Sequence, residues 1–161
     1  MKILGIDPGL GRTGYALLEQ EGNNVTLKEV GCITTGVGEP EYERLAEIKY
    51  DLNAIIRKTR PDAVCIESLF FAANAKTAMS VGQARGVILV TVADHKLKII
   101  EITPLQVKIA ATGYGKADKA QVHRMMQTVL KLKKIPTPDD AADAVAIAWA
   151  GLSRVKYNLG K

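Results

Sequence analysis

The sequence predicts an α/β fold in which a mixed five-stranded sheet, with its first three strands antiparallel, is flanked by helices. Three observations predict it: an apolar run ended by an Asp-Pro-Gly turn, two β-rich segments around a Gly-Asn turn, and apolar residues at helical spacing from residue 41 onward. At 161 residues the chain has the length of one ordinary domain. We therefore expect a single domain over residues 1–161.

The first half supplies three strands and a helix. Residues 2–7 are apolar and end at the turn, which predicts a buried strand. Residues 13–20 and 25–34 are β-rich and flank the Gly-Asn turn, which predicts a hairpin. Residues 41–58 have helical spacing until an Arg-Pro-Asp sequence ends the helix.

The second half alternates strands and helices. Strands are predicted over residues 63–66, ending at Glu67, and over residues 97–102. For the last helix, Thr137 is the expected N-cap and Pro138 the first helical residue. The four helices of this half are predicted over residues 74–94, 104 to about 111, 117–132 and 138 to about 155.

Composition restricts the class of protein. Apolar residues make up 47% and charged residues 24%, as in soluble globular proteins. There is no run of 18 apolar residues, and Asp7-Pro8 interrupts the apolar start, so neither a membrane span nor a secretory signal is expected. Cys32 and Cys65 stand alone in apolar segments and are expected to be buried thiols. These features predict a cytoplasmic protein.

Charge is unevenly distributed along the chain. Residues 1–95 carry 10 basic and 12 acidic side chains, whereas residues 96–161 carry 12 basic and 5 acidic ones. A basic half beside a near-neutral half is typical of proteins that bind a polyanion, and nucleic acid is favoured over a membrane surface. A merely solubilising surface is the alternative.

A glycine motif, Gly9-Leu-Gly11-Arg-Thr-Gly14, follows the first strand. It matches the dinucleotide-binding pattern, but a β-rich segment follows it instead of a helix, which disfavours that interpretation. A strand, an aspartate, a turn and a second strand are found in ribonuclease-H-like nucleases and in actin-like ATPases. Because the ATPases use a pair of such domains, the length of this chain favours the nuclease.

Four acidic residues are candidate metal ligands. Asp7 and Glu67 each end a strand, and Asp140 and Asp143 share one helix face. Asp140 could instead belong to a capping box, but Asp143 lies too far into an apolar helix for that role. Carboxylates without a His or Cys partner favour a hard cation such as Mg²⁺, and two such ions could hold both oxygens of a phosphodiester cleavage.

Several short motifs, in order and spacing, resemble the RuvC family of bacterial Holliday-junction resolvases over the whole chain. They are Gly5-Ile-Asp7-Pro-Gly9, Thr13-Gly14, Ile66-Glu67, Phe70, Asn74-Ala75, Gly82-Gln-Ala-Arg85-Gly86-Val87, Gln106-Val-Lys108 and Asp140-Ala-Ala-Asp143-Ala144. The resemblance implies a ribonuclease-H-like fold, a homodimer, and an endonuclease that nicks two like-polarity strands of a four-way DNA junction, leaving 5′-phosphate ends, in homologous recombination and DNA repair. It also implies a functional partnership with the RuvA–RuvB branch-migration complex.

The resemblance also assigns residues. It implies that Asp7, Glu67, Asp140 and Asp143 hold Mg²⁺, with Mn²⁺ substituting and two ions bound per subunit when DNA is present. It places Lys108 and Lys119 near the scissile phosphate and Phe70 against DNA, with core packing as the alternative for Phe70. Arg12, Arg85 and Lys116 are further DNA-contact candidates, with solvated surface charge as the alternative.

Two further expectations concern the helix over residues 74–94 and the histidines. The small residues Ala78, Gly82 and Gly86 predict a dimer surface on that helix, and packing on its own sheet is the alternative. His95 and His123 have no spaced partner and are expected at the surface. Two rival functions remain at this point: a YqgF-type RNA-processing nuclease of the same fold, and a junction-binding protein without catalysis.

Overall fold

A computed structural model of the chain describes residues 1–68 and 75–159, with the side chains of 75–77 and 156–159 outside the description. In this part of the chain, one five-stranded sheet is flanked by helices on both faces. The strands are β1 (Lys2–Asp7), β2 (Arg12–Glu21), β3 (Asn24–Thr34), β4 (Ala63–Glu67) and β5 (Lys98–Ile102). The helices are α1 (Glu41–Thr59), α2 (Ala75–Asp94), α3 (Pro104–Thr112), α4 (Lys119–Val129) and α5 (Asp139–Leu159).

The sheet has the spatial order β3-β2-β1-β4-β5. β1 pairs with β2, and β2 with β3, in antiparallel fashion, whereas β1–β4 and β4–β5 are parallel. Gly22 lies in the hairpin turn with a φ of 58°, a left-handed conformation that glycine adopts readily. The predicted mixed sheet with three antiparallel strands is confirmed.

Alternate residues of the central strands face two separate cores, as the period of a strand requires. Ile3 and Cys65 face the core that contains α5, whereas Leu4 and Val64 face the core that contains α1 and α2. Helices therefore cover both faces of β1 and β4, which explains why these strands are almost continuously apolar.

Two helix starts differ from the sequence-based expectation. α4 begins at Lys119 instead of residue 117, because Asp118 caps it: the Asp118 side chain accepts from the backbone N–H of Gln121, and the Gln121 side chain accepts from the backbone of Asp118. α5 begins at Asp139, so Pro138 precedes the helix and its carbonyl accepts from the N–H of Ala141. The expected start with Thr137 as N-cap was wrong.

The composition predicted no membrane span and two buried thiols. Among the helices of the described chain, none combines the length and apolar character of a membrane span. Both cysteines are free; Cys65 is buried, which raises the pKa of its thiol to about 12, and Cys32 is half-buried. The expectation of a buried thiol is confirmed for Cys65 and was wrong for Cys32.

Candidate functional site

Asp7 and Glu67 lie at the same edge of the sheet. β1 ends at Asp7 and β4 ends at Glu67, and the two strands are parallel neighbours in which Ile6 is opposite Ile66. The next residue of each strand is the acid. The register of two hydrogen-bonded strands therefore brings these two carboxylates together although 60 residues of chain separate them.

Two glycines allow α5 to lie directly on this edge. A Cβ at Gly14 would overlap the backbone carbonyl of Asp140, and a Cβ at Gly5 would overlap that of Ala144. Gly14 is also the partner of Asp7 across the β1–β2 ladder. The absence of side chains at these positions places the first turns of α5, with Asp140 and Asp143, beside Asp7.

The electrostatics of Asp7 reflect this crowding. Burial, and then the negative charges of Asp143, Glu67 and Asp140, raise the pKa of Asp7 to about 8. Burial, followed by the charge of Asp143, raises the pKa of Glu67 to about 7, against the opposing effect of Lys119. With a pKa of about 8, Asp7 is mostly protonated at neutral pH when no cation is bound, because its burial and the neighbouring carboxylates disfavour the charged form.

Asp140 lies between the acids and a basic side chain. The Nε of Arg12 is 3.0 Å from its Oδ2, but the N–H does not point at that oxygen closely enough to donate a hydrogen bond. Oδ2 is buried and has no hydrogen-bond partner within the described part of the chain. An unsatisfied buried carboxylate oxygen costs free energy, and a bound cation would remove that cost.

Asp143 is held by two basic residues of α4. Its Oδ2 accepts from Nζ of Lys119 at 2.7 Å, and its Oδ1 is 2.7 Å from Nε2 of His123. Lys119 also lies 3.3 Å from Asp139. Burial opposes the charge of Lys119, but its hydrogen bonds to Asp143 and Asp139 outweigh that effect and raise its pKa.

His123 is the site residue that sequence reasoning missed. Its side chain is only 7% exposed, so the expected surface position was wrong. The spacing contained a signal: His123 follows Lys119 by four residues on one helix, so the two side chains share a face. Asp143, which supplies the other half of the contact, is 20 residues further along the chain.

The carboxylates form a cluster but not a closed metal cage. Within residues 1–68 and 75–159, no three His, Cys, Asp or Glu side chains are arranged as a ready-made metal site. The mutual effects on the pKa of Asp7 show that the four acids nevertheless share one electrostatic environment. Basic side chains lie beside two of the acids: Lys119 and His123 contact Asp143, and Arg12 lies 3.0 Å from Asp140. The all-oxygen donor set and the unsatisfied oxygen of Asp140 fit a hard divalent cation.

Comparisons with known proteins identify the family. The family model described as "Crossover junction endodeoxyribonuclease RuvC" matches residues 3–150. The chain belongs to the RuvC family. It is 51% identical over 148 residues to the crossover junction endodeoxyribonuclease RuvC of Halothermothrix orenii, covering 92% of this chain and 90% of the relative. It is 50% identical to that of Alkaliphilus oremlandii, with the same coverage of both chains.

Solved structures agree on the fold. Thermus thermophilus RuvC in complex with a Holliday junction substrate aligns with a TM-score of 0.92 and 32% identity, over 98% of this chain and 96% of that one. The yeast mitochondrial Holliday junction resolvase Ydc2 aligns with a TM-score of 0.67 and 15% identity, over 98% and 82%, which supports the fold alone. The ribonuclease-H-like fold expected of a RuvC family member is confirmed.

The two lysines that the RuvC resemblance places at the phosphate line one cavity together with two of the four acids. This cavity of about 210 Å³ has Glu67, Asp143, Lys108 and Lys119 in its wall. Lys116, by contrast, is exposed in the segment before α4, and no described contact joins it to the acids. The roles of these lysines in binding DNA stay predictions.

Arg12 and Arg85, the two predicted arginine contacts, differ in their surroundings. The Arg12 side chain is 55% exposed beside Asp140. The Arg85 side chain is mostly buried, forms an ion pair with Glu101, and donates from Nε to the backbone carbonyl of Glu67 at 3.3 Å. Arg85 thus braces the end of β4, and its DNA contact stays a prediction. Phe70 lies outside the described residues.

The predicted dimer surface lies on α2. The helix buries Ala84, Ile88 and Val92 against the sheet. Ala78 and Gly82 are half-buried and Gly86 is exposed, and a Cβ at Gly86 would meet no atom of the described chain within 4 Å. The small-residue face therefore does not pack on the core side of α2, and its use in a dimer stays a prediction.

Proposed function

We propose that this chain is a structure-selective endonuclease that resolves four-way DNA junctions by paired symmetric nicks, as a crossover junction endodeoxyribonuclease of homologous recombination and repair. The observation that carries the proposal is the convergence of Asp7, Glu67, Asp140 and Asp143, from three separate segments, at one sheet edge. Membership of the RuvC family supports the substrate, since a family member of the same fold is known in complex with a Holliday junction.

Nucleases of the RuvC family are metal-dependent. The four carboxylates would hold Mg²⁺, or Mn²⁺ in its place, with two ions per subunit when DNA is bound. When bound, such ions supply charge neutralisation at both the attacking and the leaving oxygen of a phosphodiester. The acids of this chain supply only oxygen donors, which is the ligand chemistry that these ions prefer.

The protein's own residues have distinct tasks in this reaction. Burial, and then the neighbouring acids, raise the pKa values of Asp7 and Glu67, so a bound cation would favour the charged form of both. His123 keeps Asp143 oriented. Lys119 contacts Asp143, and its side chain is half exposed; it would supply a positive charge to a bound phosphate, where such a charge stabilises the transition state. Lys108 lines the same cavity and adds to this charge.

The proposal includes partners. The chain would act as a homodimer through the α2 face of Ala78, Gly82 and Gly86, because a junction has two symmetry-related strands to be cut. It would contact DNA through Arg12, Lys108, Lys116 and Lys119, with Phe70 and Arg85 as further contacts. It would work in the cytoplasm beside the RuvA–RuvB complex.

A nicking assay tests the function. Wild-type protein with Mg²⁺ should introduce paired nicks into a synthetic mobile four-way junction and leave linear duplex and single-stranded RNA uncut. Equal cleavage of RNA would favour the YqgF-type alternative, and junction binding without nicks would favour the non-catalytic one. Asp7→Asn should abolish nicking and retain junction binding, and nicking by this variant would overturn the assignment of the acids.

A further inference from the structure

A second cavity borders the acidic cluster. It has a volume of about 670 Å³, and Asp140, Arg12 and Arg44 lie in its wall with the loop between β1 and β2. Among the described residues, none lines both this cavity and the cavity of Lys108 and Lys119. Asp143 lines one cavity and Asp140 the other, and each cavity has two basic side chains in its wall: Lys108 and Lys119 in the first, Arg12 and Arg44 in the second.

Arg44 is held in place at this groove. Its Nε donates to Oγ1 of Thr35 at 2.9 Å, and that hydroxyl donates to the carbonyl of Leu10 at 2.6 Å. Thr35 is only 3% exposed, so the link is protected from water. The Nη2 of Arg44 lies 3.5 Å from the position that a Cβ on Gly11 would take. The guanidinium group therefore lies against the β1–β2 loop in a defined orientation.

The remaining N–H groups of Arg44 have no acidic partner. No carboxylate lies within ion-pair distance of Arg44 in residues 1–68 and 75–159, and its described hydrogen bond uses Nε alone. A guanidinium has five N–H donors in a planar fork that matches two oxygens of a phosphate. An oriented arginine that faces a groove with its terminal nitrogens unpaired is prepared for an anionic ligand.

We propose that this groove binds the sugar-phosphate backbone of the DNA strand beside the cleaved bond, with Arg44 contacting a phosphate. The inference rests on the proposed function and extends it to a residue that the sequence analysis did not select. The described wall contains no aromatic side chain on which a base could stack. The contacts expected from arginine in this groove are therefore with phosphates, which position the DNA strand without recognising its base sequence.

The test measures junction binding across a range of salt concentrations. Arg44→Gln is made in the Asp7→Asn background, and the dissociation constant for a synthetic four-way junction is measured between about 50 and 200 mM salt. Each phosphate contact that is lost should weaken binding by about tenfold at 0.1 M salt and lower the logarithmic salt slope by about 0.9, so a homodimer that uses Arg44 in both subunits should lose about 1.8 in slope. The loss should be equal for junctions of different sequence.

Two further variants separate binding from folding. Arg57→Gln removes the same charge from the exposed far end of α1, about 20 Å from Arg44, and should leave affinity and slope unchanged. Arg44→Lys keeps the charge and should retain the salt slope even if Arg44→Gln lowers the melting temperature. An unchanged slope in Arg44→Gln, or a slope in Arg44→Lys as low as that of Arg44→Gln, overturns the inference. If the Asp7→Asn parent binds no four-way junction, the proposed function itself fails.

Discussion

The Nε2 of His123 lies 2.7 Å from Oδ1 of Asp143, and this contact joins a buried residue of α4 to the acid of α5 that the sequence marks as the least easily explained. Asp143 has two oxygens and two basic partners. The side chain of Lys119 is half exposed, whereas that of His123 is buried. The imidazole therefore sets the orientation of the carboxylate, which is the task of an outer partner at metal sites.

Replacement of His123 should weaken metal use. His123→Ala should raise the Mg²⁺ concentration for half-maximal cleavage by about 10–100-fold, the usual effect of losing an outer partner. His123→Gln can still donate to Asp143 and should recover much of the loss. His95→Ala is the matched control, since His95 contacts Asn53 in another part of the fold. An equal effect of both alanine variants would contradict a positioning role for His123.

Asp7 should control the pH dependence of stability when metal is absent. Its pKa is raised from about 4 to about 8 in the folded chain, so the folded state binds its proton more tightly than the unfolded state does. That stabilisation is fully present below pH 4 and is lost as pH rises through 8. In EDTA, Asp7→Asn should therefore melt at a higher temperature than wild type at pH 9 and at nearly the same temperature at pH 4. The measurement is the melting temperature of both proteins between pH 4 and pH 9. A variant that melts below the wild type at pH 9 contradicts the prediction.

Mg²⁺ should stabilise the wild type more than it stabilises Asp7→Asn. In the wild type at pH 8, added Mg²⁺ should raise the melting temperature, because the ion binds the folded state and offsets the charge of the acids. Asp7→Asn, with one fewer charged ligand, should show a smaller rise. Differential scanning calorimetry with matched ionic strength measures both shifts. Equal shifts in the two proteins would exclude Asp7 from the metal site.

Lys119 should matter for cleavage more than for binding. Lys119→Met removes the charge that contacts Asp143 and lines the cavity with Glu67, and should slow cleavage by about 100-fold under single-turnover conditions. Lys116→Met removes an exposed charge that the proposal assigns to DNA binding alone, so with the enzyme in saturating excess over the junction it should slow cleavage little. Similar losses in the two variants would assign Lys119 to general DNA binding instead.

Gly14 should tolerate no side chain. Gly14→Ala places a Cβ on the backbone carbonyl of Asp140, so α5 must move away from the sheet, at a cost of about 1–3 kcal/mol or more in the free energy of unfolding. Cleavage should fall with stability, because the same movement separates Asp140 from Asp7. A Cβ at Gly38 would meet no atom of residues 1–68 and 75–159 within 4 Å, so Gly38→Ala serves as the control. Chemical denaturation of both variants tests this, and an unperturbed Gly14→Ala protein would contradict the packing described here.

Local patterns were sufficient for much of the fold. The strand that ends at Asp7, the hairpin about Gly22 and the strand that ends at Glu67 are visible in the sequence because strand period and turn chemistry are local properties. Helix ends were less well predicted. Asp118 caps α4 through its own side chain, and α5 begins after Pro138, details that depend on which of several possible caps forms.

By itself, the sequence determined the order of strands and helices and the acids that end strands or share a helix face, because these follow from residue spacing of a few positions. Only the tertiary structure decided which side chains surround those acids and how the neighbouring arginine is oriented. His123 contacts Asp143, and Thr35 accepts a hydrogen bond from Arg44, and both contacts join elements from distant parts of the chain. Such contacts depend on how the helices pack on the sheet, and the spacing of residues along the sequence does not predict that packing.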